Sequence, residues 1–153
     1  MELKKIEVSR EIFQTPDEWS VKYKYNYGRL SPFFKAMKEE GKLLGTMCPE
    51  CGLVACPPRP DCPKCFVSAD WVETTGEGTI DTFCVTHFAV SGVGKEVPYC
   101  LAHVNMDGTD TAILGCVSGT DMDKIKIGMR VKAKFIGKDK REGKITDFDF
   151  VPI

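Results

Sequence analysis

The sequence predicts a mainly β protein with N-terminal helices, in which a zinc ribbon is followed by a five-stranded OB-fold barrel. Three observations carry that expectation. Two C-x-x-C pairs, Cys48/Cys51 and Cys62/Cys65, are separated by ten residues. Five short β-rich runs divided by turn signals fill residues 71–153. Helix punctuation is confined to residues 1–45. The expected division is therefore an N-terminal helical segment over 1–45, a zinc ribbon over 46–70 and an OB-fold domain over 71–153.

Two short helices are expected first. TPDE at 15–18 offers Thr15 as N-cap, Pro16 at the first helical position and Glu18 as the far side of a capping box, with Gly28 as a stop. SPFFKAMKEEG at 31–41 offers Ser31 as cap, Pro32 in the first turn and Gly41 just past the end. Phe33, Phe34, Ala36 and Met37 share one side of that second helix, with Lys35, Lys38 and Glu39 largely elsewhere. This apolar side is a candidate docking patch; packing against the rest of the chain is the plainer reading.

Residues 46–70 hold five cysteines and five prolines, a composition for loops and knuckles rather than helix or long strand. A C-x-x-C turn curls two thiolates toward one point, and two such turns facing each other make a closed tetrahedral site. Pro49, Gly52 and Pro63 suit the tight turns, and Pro57-Pro58-Arg59-Pro60 would stiffen the intervening loop. With Cys48, Cys51, Cys62 and Cys65 filling all four positions, no place is left for substrate, so the metal would be structural. Zinc is favoured because nothing suggests an electron-transfer partner, though the same thiolates would take iron. Two alternatives stand beside this one. A thioredoxin-type redox pair wants a βαβ context that the chain lacks, and disulfides want an oxidising compartment. The opening residues show no apolar signal run and no stretch is long enough to span a bilayer, so a soluble, cytoplasmic protein is expected.

The remaining cysteines have duller explanations. Cys56 reads as a small loop hydrophobe, and Cys84, Cys100 and Cys116 fall in expected strands as buried core thiols. A catalytic cysteine would need His87 or His103 as its base, and neither is placed convincingly.

The five runs are 79–90, 98–106, 111–117, 129–136 and 144–151. In MRVKAKFI, Met129, Val131, Ala133 and Phe135 alternate with Arg130, Lys132 and Lys134. KITDFDFV sets Phe148 and Phe150 against Asp147 and Asp149. Without helices long enough for βαβ units, five short strands point to a small antiparallel barrel, and the OB fold fits best. DMDKIKIG, between the third and fourth runs, could form one helical turn in place of the usual OB helix.

The formal net charge of −1 conceals an asymmetry. Residues 76–123 contain seven acidic residues and one basic residue, Lys95, whereas residues 124–144 contain nine basic residues against Asp139 and Glu142. In an OB fold the loops after strands one and four rim one binding face; here these are residues 91–97 and 137–143. SGVGK at 91–95 is more simply a flexible hairpin than a phosphate loop. The second loop supplies Lys138, Lys140 and Arg141, with Lys144 adjacent, a rim able to hold phosphates or the acidic edge of a protein. Arg59, on its Pro-braced loop, is a further anion-binding candidate. Solvated surface charge is the competing reading for all five.

FFKAMKEEGKLLGTMCPECGLVACPPRPDCPKC, WVETTGEGTI and IGMRVKAKF together closely resemble the family catalogued as "domain of unknown function 35". The resemblance covers nearly the whole chain, most specifically residues 33–65. It implies an N-terminal helical segment, a rubredoxin-like zinc ribbon and a C-terminal OB fold. It also implies association with acyl-CoA enzymes, especially thiolases and hydroxymethylglutaryl-CoA synthase, as a non-catalytic partner that docks on or bridges them. Cys48, Cys51, Cys62 and Cys65 match the family's metal ligands, and Pro57, Pro58 and Arg59 match its PPR element. The expected function is thus an accessory subunit, not an enzyme, binding structural zinc and in addition acyl-CoA. The alternative is a nucleic-acid-binding zinc-ribbon/OB-fold module, which would want exposed aromatic residues among basic ones.

Overall fold

The computed structural model describes residues 24–88 and 95–153 without interruption, together with residues 5, 7, 12, 14–18 and 20–22. The helix expected from Thr15 onward is not formed: residues 14–18, 20–22 and 24–27 are irregular and nearly all exposed. A capping box contributes about 1 kcal/mol, too little by itself to offset the cost of helix nucleation. Trp19 and Tyr23 lie outside the described residues, as does most of the SGVGK loop.

The second helix is present as α1, Ser31–Glu39, entered through a 3-10 turn at Gly28–Leu30. It stops at Gly41, whose φ of 71° is the left-handed geometry that favours glycine and whose N–H returns to the Ala36 carbonyl at 2.9 Å. Phe33, Ala36 and Met37 are buried, and Phe33 and Met37 join the same apolar cluster as the barrel interior. The free docking patch read from this helix is therefore corrected: its apolar side is core.

Next come β1 (Leu44–Met47), β2 (Val54–Ala55) and β3 (Asp70–Glu73), antiparallel in the order β2-β1-β3. This small sheet frames the cysteine loops. The remaining strands, β4 (Glu77–Thr86), β5 (Tyr99–Met106), β6 (Ala112–Val117), β7 (Arg130–Phe135) and β8 (Phe148–Pro152), close a barrel in the order β4-β5-β6-β8-β7. All pairs are antiparallel except β6 with β8, which meet in parallel at a single pair, Val117 and Phe150. The short turn expected between the third and fourth runs is the 3-10 turn Met122–Lys124.

Ile80, Val104, Ile113, Val131, Phe148 and Phe150 fill the barrel. Strand β4 changes register with β5 between Ile80 and Thr82, so alternation inverts there and Cys84 is exposed. That corrects its reading as a core thiol; Cys100 is buried and Cys116 half-buried. Gly115 gives way to the two packed phenylalanines, since a Cβ there would stand 2.8 Å from the Phe150 ring. Gly115→Ala is therefore expected to cost about 1–3 kcal/mol through overpacking, read as a lower urea midpoint.

Candidate metal centre and barrel face

The two C-x-x-C turns are folded alike. Cys48 N–H donates to the Leu53 carbonyl and Gly52 N–H returns to Cys48, at 2.9 and 3.0 Å. Cys62 N–H donates to the Val67 carbonyl and Phe66 N–H returns to Cys62, at 2.8 and 2.9 Å. The sulfurs of Cys48, Cys51, Cys62 and Cys65 all lie within 4.8 Å of one another, and those of Cys51 and Cys62 are 3.7 Å apart. Tetrahedral zinc with Zn–S near 2.3 Å needs sulfurs about 3.8 Å apart, so the donor set fits structural zinc. Backbone N–H groups of Cys65 and Lys64 point at the Cys62 sulfur, at 3.5 and 3.4 Å. They lower that thiol to about 7, with Cys65 the larger contributor. Sharing a hydrogen bond with the Cys51 thiol pushes Cys65 upward instead. Cys56 stands outside the set, its thiol raised to about 12 by burial.

The second turn differs from the first at one position. Gly52 has φ of 71°, and its counterpart Phe66 has φ of 59°, the only non-glycine with positive φ among the described residues. Phe66 is also 86% exposed, so its ring supplies little packing to set against roughly 1–2 kcal/mol of left-handed strain. Phe66→Gly is expected to raise the thermal midpoint slightly, because relieved strain exceeds the added chain entropy of about 0.5–1 kcal/mol.

The ribbon is strapped to the barrel at the β5–β6 turn. Val54 N–H donates to the Asp110 carboxylate at 2.8 Å, and Asp110 N–H returns to the Val54 carbonyl at 2.7 Å. The Thr111 hydroxyl accepts from Cys56 N–H and donates to the Cys56 carbonyl, at 2.8 and 3.0 Å. Arg29 clamps the other side with a bidentate pair to Asp61 at 2.7 and 2.9 Å, and its guanidinium holds the Asp61 carboxyl below the usual range.

On the barrel, an apolar trough of about 340 Å³ is walled by Leu101, Leu114, Cys116 and Ile145 over a Phe148 floor. It shares Pro57, Ile145 and Thr146 with an aromatic cleft of about 410 Å³ formed by Tyr25, Tyr27, Phe33, Phe34 and Lys144. Tyr27 stacks on Phe34 with ring centroids 3.6 Å apart. Sequence reasoning missed these tyrosines because it placed them in the helix expected between Thr15 and Gly28, where residues 24–27 are irregular instead.

The β7–β8 loop that bears the basic rim is shaped by Asp147, whose carboxylate accepts the N–H groups of Glu142, Gly143 and Lys144 at 2.9, 2.7 and 3.1 Å. Asp147 is 3% exposed, which corrects its reading as an outward strand residue: it ends the 3-10 turn Ile145–Asp147. Within this loop Lys138 and Lys140 are exposed in the 3-10 turn Lys138–Lys140. Arg141 donates through Nε to the Ile136 carbonyl at 2.8 Å and lies over the Phe135 ring. Lys144 is ion-paired with Glu142. Arg59 is exposed on the ribbon, its backbone tied to the Thr46 hydroxyl. Lys95, from the other rim loop, pairs with Asp149 at 2.6 Å. His103 faces the Thr82 hydroxyl at 3.4 Å on the outer barrel surface. No helix among the described residues is long and apolar enough to cross a membrane.

A four-cysteine knuckle joined to a five-stranded barrel defines a zinc-ribbon/OB-fold protein. Residues 36–71 match the family described as "ChsH2, rubredoxin-like zinc ribbon domain", and residues 71–135 match "ChsH2, C-terminal OB-fold domain". The chain belongs to the DUF35 family. A "DUF35 domain-containing scaffold protein" of Methanocaldococcus jannaschii is 30% identical over 125 residues, covering 78% of this chain and 88% of the relative. Among solved structures, "Ltp2-ChsH2(DUF35) aldolase" superposes with a TM-score of 0.67 at 28% identity, covering 86% of this chain and 98% of that one. A DUF35-family protein of unknown function from Sulfolobus solfataricus shares the fold, with a TM-score of 0.60 at 22% identity over 82% of this chain and 87% of that one.

Proposed function

We propose that the protein is a non-catalytic accessory subunit that holds or bridges an acyl-CoA condensing enzyme of the thiolase or hydroxymethylglutaryl-CoA synthase type. The observation that carries this reading is the chemistry of the OB binding face. On β5 and β6 that face is aliphatic, with Leu101, Leu114 and Cys116 facing Ile145; in the adjoining cleft beside Lys144 the Tyr27 ring is already stacked on Phe34 rather than left open to a base, as the stacking platform of a single-strand binder would be. An aliphatic face suits a protein surface or an acyl chain. The four-sulfur centre supports the same reading, since it leaves no coordination position for substrate. So do a relative named a scaffold protein and a structural neighbour described as an aldolase pairing Ltp2 with ChsH2.

In this reading Lys138, Lys140 and Lys144 offer charge to acyl-CoA phosphates, and Arg141 adds its own from a fixed position over Phe135. Arg59 is a separate anion contact on the ribbon. The working compartment is the cytoplasm. Co-expression with a thiolase-type enzyme of the same organism should give one co-eluting peak on size exclusion at micromolar concentration, with this protein inactive alone. Two separate peaks would refute the proposal.

A further inference from the structure

The two cysteine turns act as controls for each other. CPECG at 48–52 and CPKCF at 62–66 share their prolines and cysteines and close with the same pair of backbone hydrogen bonds. Each bends the residue after its second cysteine into the left-handed region, where glycine alone sits without strain. Gly52 meets that demand. Phe66 does not, and its ring stays 86% exposed, so almost nothing in the chain packs on it. Strain kept where the fold itself gains no packing points to a use outside the fold. Pro63 and Lys64 are exposed beside the ring. Lys64 has no ion pair among the described residues, and the matching position of the first turn carries Glu50 instead. The neck below this tip is fixed. Asp61 and Ser68 form a β-bridge, Ala69 N–H donates to the Pro60 carbonyl at 3.0 Å, and Arg29 donates to Asp61, Pro60 and Ser68.

We propose that Phe66 is a docking anchor: its ring enters an apolar pocket on the surface of the partner enzyme, and a carboxylate at the rim of that pocket faces Lys64. A rigidly presented aromatic ring that leaves water on contact is the kind of residue that dominates an interface. The fixed neck leaves little backbone freedom to lose on binding. The unpaired Lys64 supplies the charge that the rim of the pocket must complement, which sets orientation and partner choice. One ring beside one cation is too little for a single strand of nucleic acid, which wants a row of both. Only the partner's identity is taken from the accessory-subunit reading; the anchor stands on the conformation and exposure of Phe66 and on the free charge of Lys64.

The zinc-loaded wild type and its variants are titrated against the purified thiolase-type enzyme of the same organism, and hydroxyl-radical labelling read by mass spectrometry follows the Phe66 ring. Phe66→Gly should bind roughly tenfold more weakly or worse, while its own thermal midpoint stays at or above that of the wild type. Misfolding cannot produce that combination. Phe66→Leu, which keeps an apolar side chain, should lose less. Lys64→Glu should weaken the complex several-fold, and more so at low salt than at high. Labelling of the ring should be full in the protein alone and fall when the enzyme binds. Unchanged affinity of Phe66→Gly, or a ring labelled equally in the complex, overturns the proposal. So does concentration-dependent shielding of the ring in the protein alone, which would make a second copy the occupant. Should the wild type fail to bind the enzyme, the accessory-subunit reading falls and this contact with it. Should the wild type bind with its Phe66 ring labelled as in the free protein, the anchor falls by itself.

Discussion

Cys62→Ser is expected to abolish zinc binding and unfold the ribbon while leaving most of the barrel intact. Structural zinc contributes about 10–16 kcal/mol to folding in comparable modules, as much as the whole stability of an ordinary domain, about 5–15 kcal/mol. The ribbon has little else. Between Cys48 and Ala69 its buried apolar residues are chiefly Cys48, Ala55, Cys56 and Cys62, and its strands are two to four residues long. The barrel keeps its own core of Ile80, Val104, Val131, Phe148 and Phe150. Hydrogen exchange should therefore find the amides of Cys48, Gly52, Cys62 and Phe66 unprotected and those of β4 and β7 still slow. The β5–β6 turn should loosen in between, because Asp110 and Thr111 lose the ribbon backbone they bind. Native-like protection across the ribbon without metal would show that the thiols are not its staple.

Asp147→Ala is expected to cost about 3 kcal/mol, the second-largest loss. The carboxylate is buried, and its removal strands the N–H groups of Glu142, Gly143 and Lys144 at once. Leaving buried donors unsatisfied costs about 1–3 kcal/mol each, less whatever water recovers. The effect should reach α1, because Gly143 packs directly on the Phe34 carbonyl: a Cβ there would lie 3.0 Å from that oxygen. Arg141 touches the helix stop at Gly41 in the same way. Asp147→Asn, which keeps an acceptor, should lose markedly less, and paired urea titrations of the two variants separate the lost acceptor from lost packing.

The sequence made the metal centre plain because four cysteines at fixed spacing leave few other geometries. It also made β7 plain, where strict alternation survives into the barrel. What escaped reading has local causes. The β4 register change inverts the alternation after Ile80, so nothing in the residue types announces that Cys84 faces outward. The 3-10 turn before β8 places Asp147 inside although the run KITDFDFV alternates as a strand would. Thr15 to Glu18 has the terminal signals of a helix, yet the described residues from 14 to 27 are irregular and nearly all exposed, and end signals alone do not nucleate one. The apolar trough was hidden for a different reason: Pro57, Leu101, Leu114 and Ile145 are far apart in sequence, and only barrel closure brings them together.

All of this depends on a closed sulfur cage that builds a scaffold rather than a reactive centre. X-ray absorption at the zinc edge on gently purified protein tests that most directly. The structure predicts one zinc per chain with four sulfurs near 2.3 Å and no nitrogen or oxygen ligand. A substoichiometric metal, or a shell with an oxygen in place of one sulfur, would contradict it.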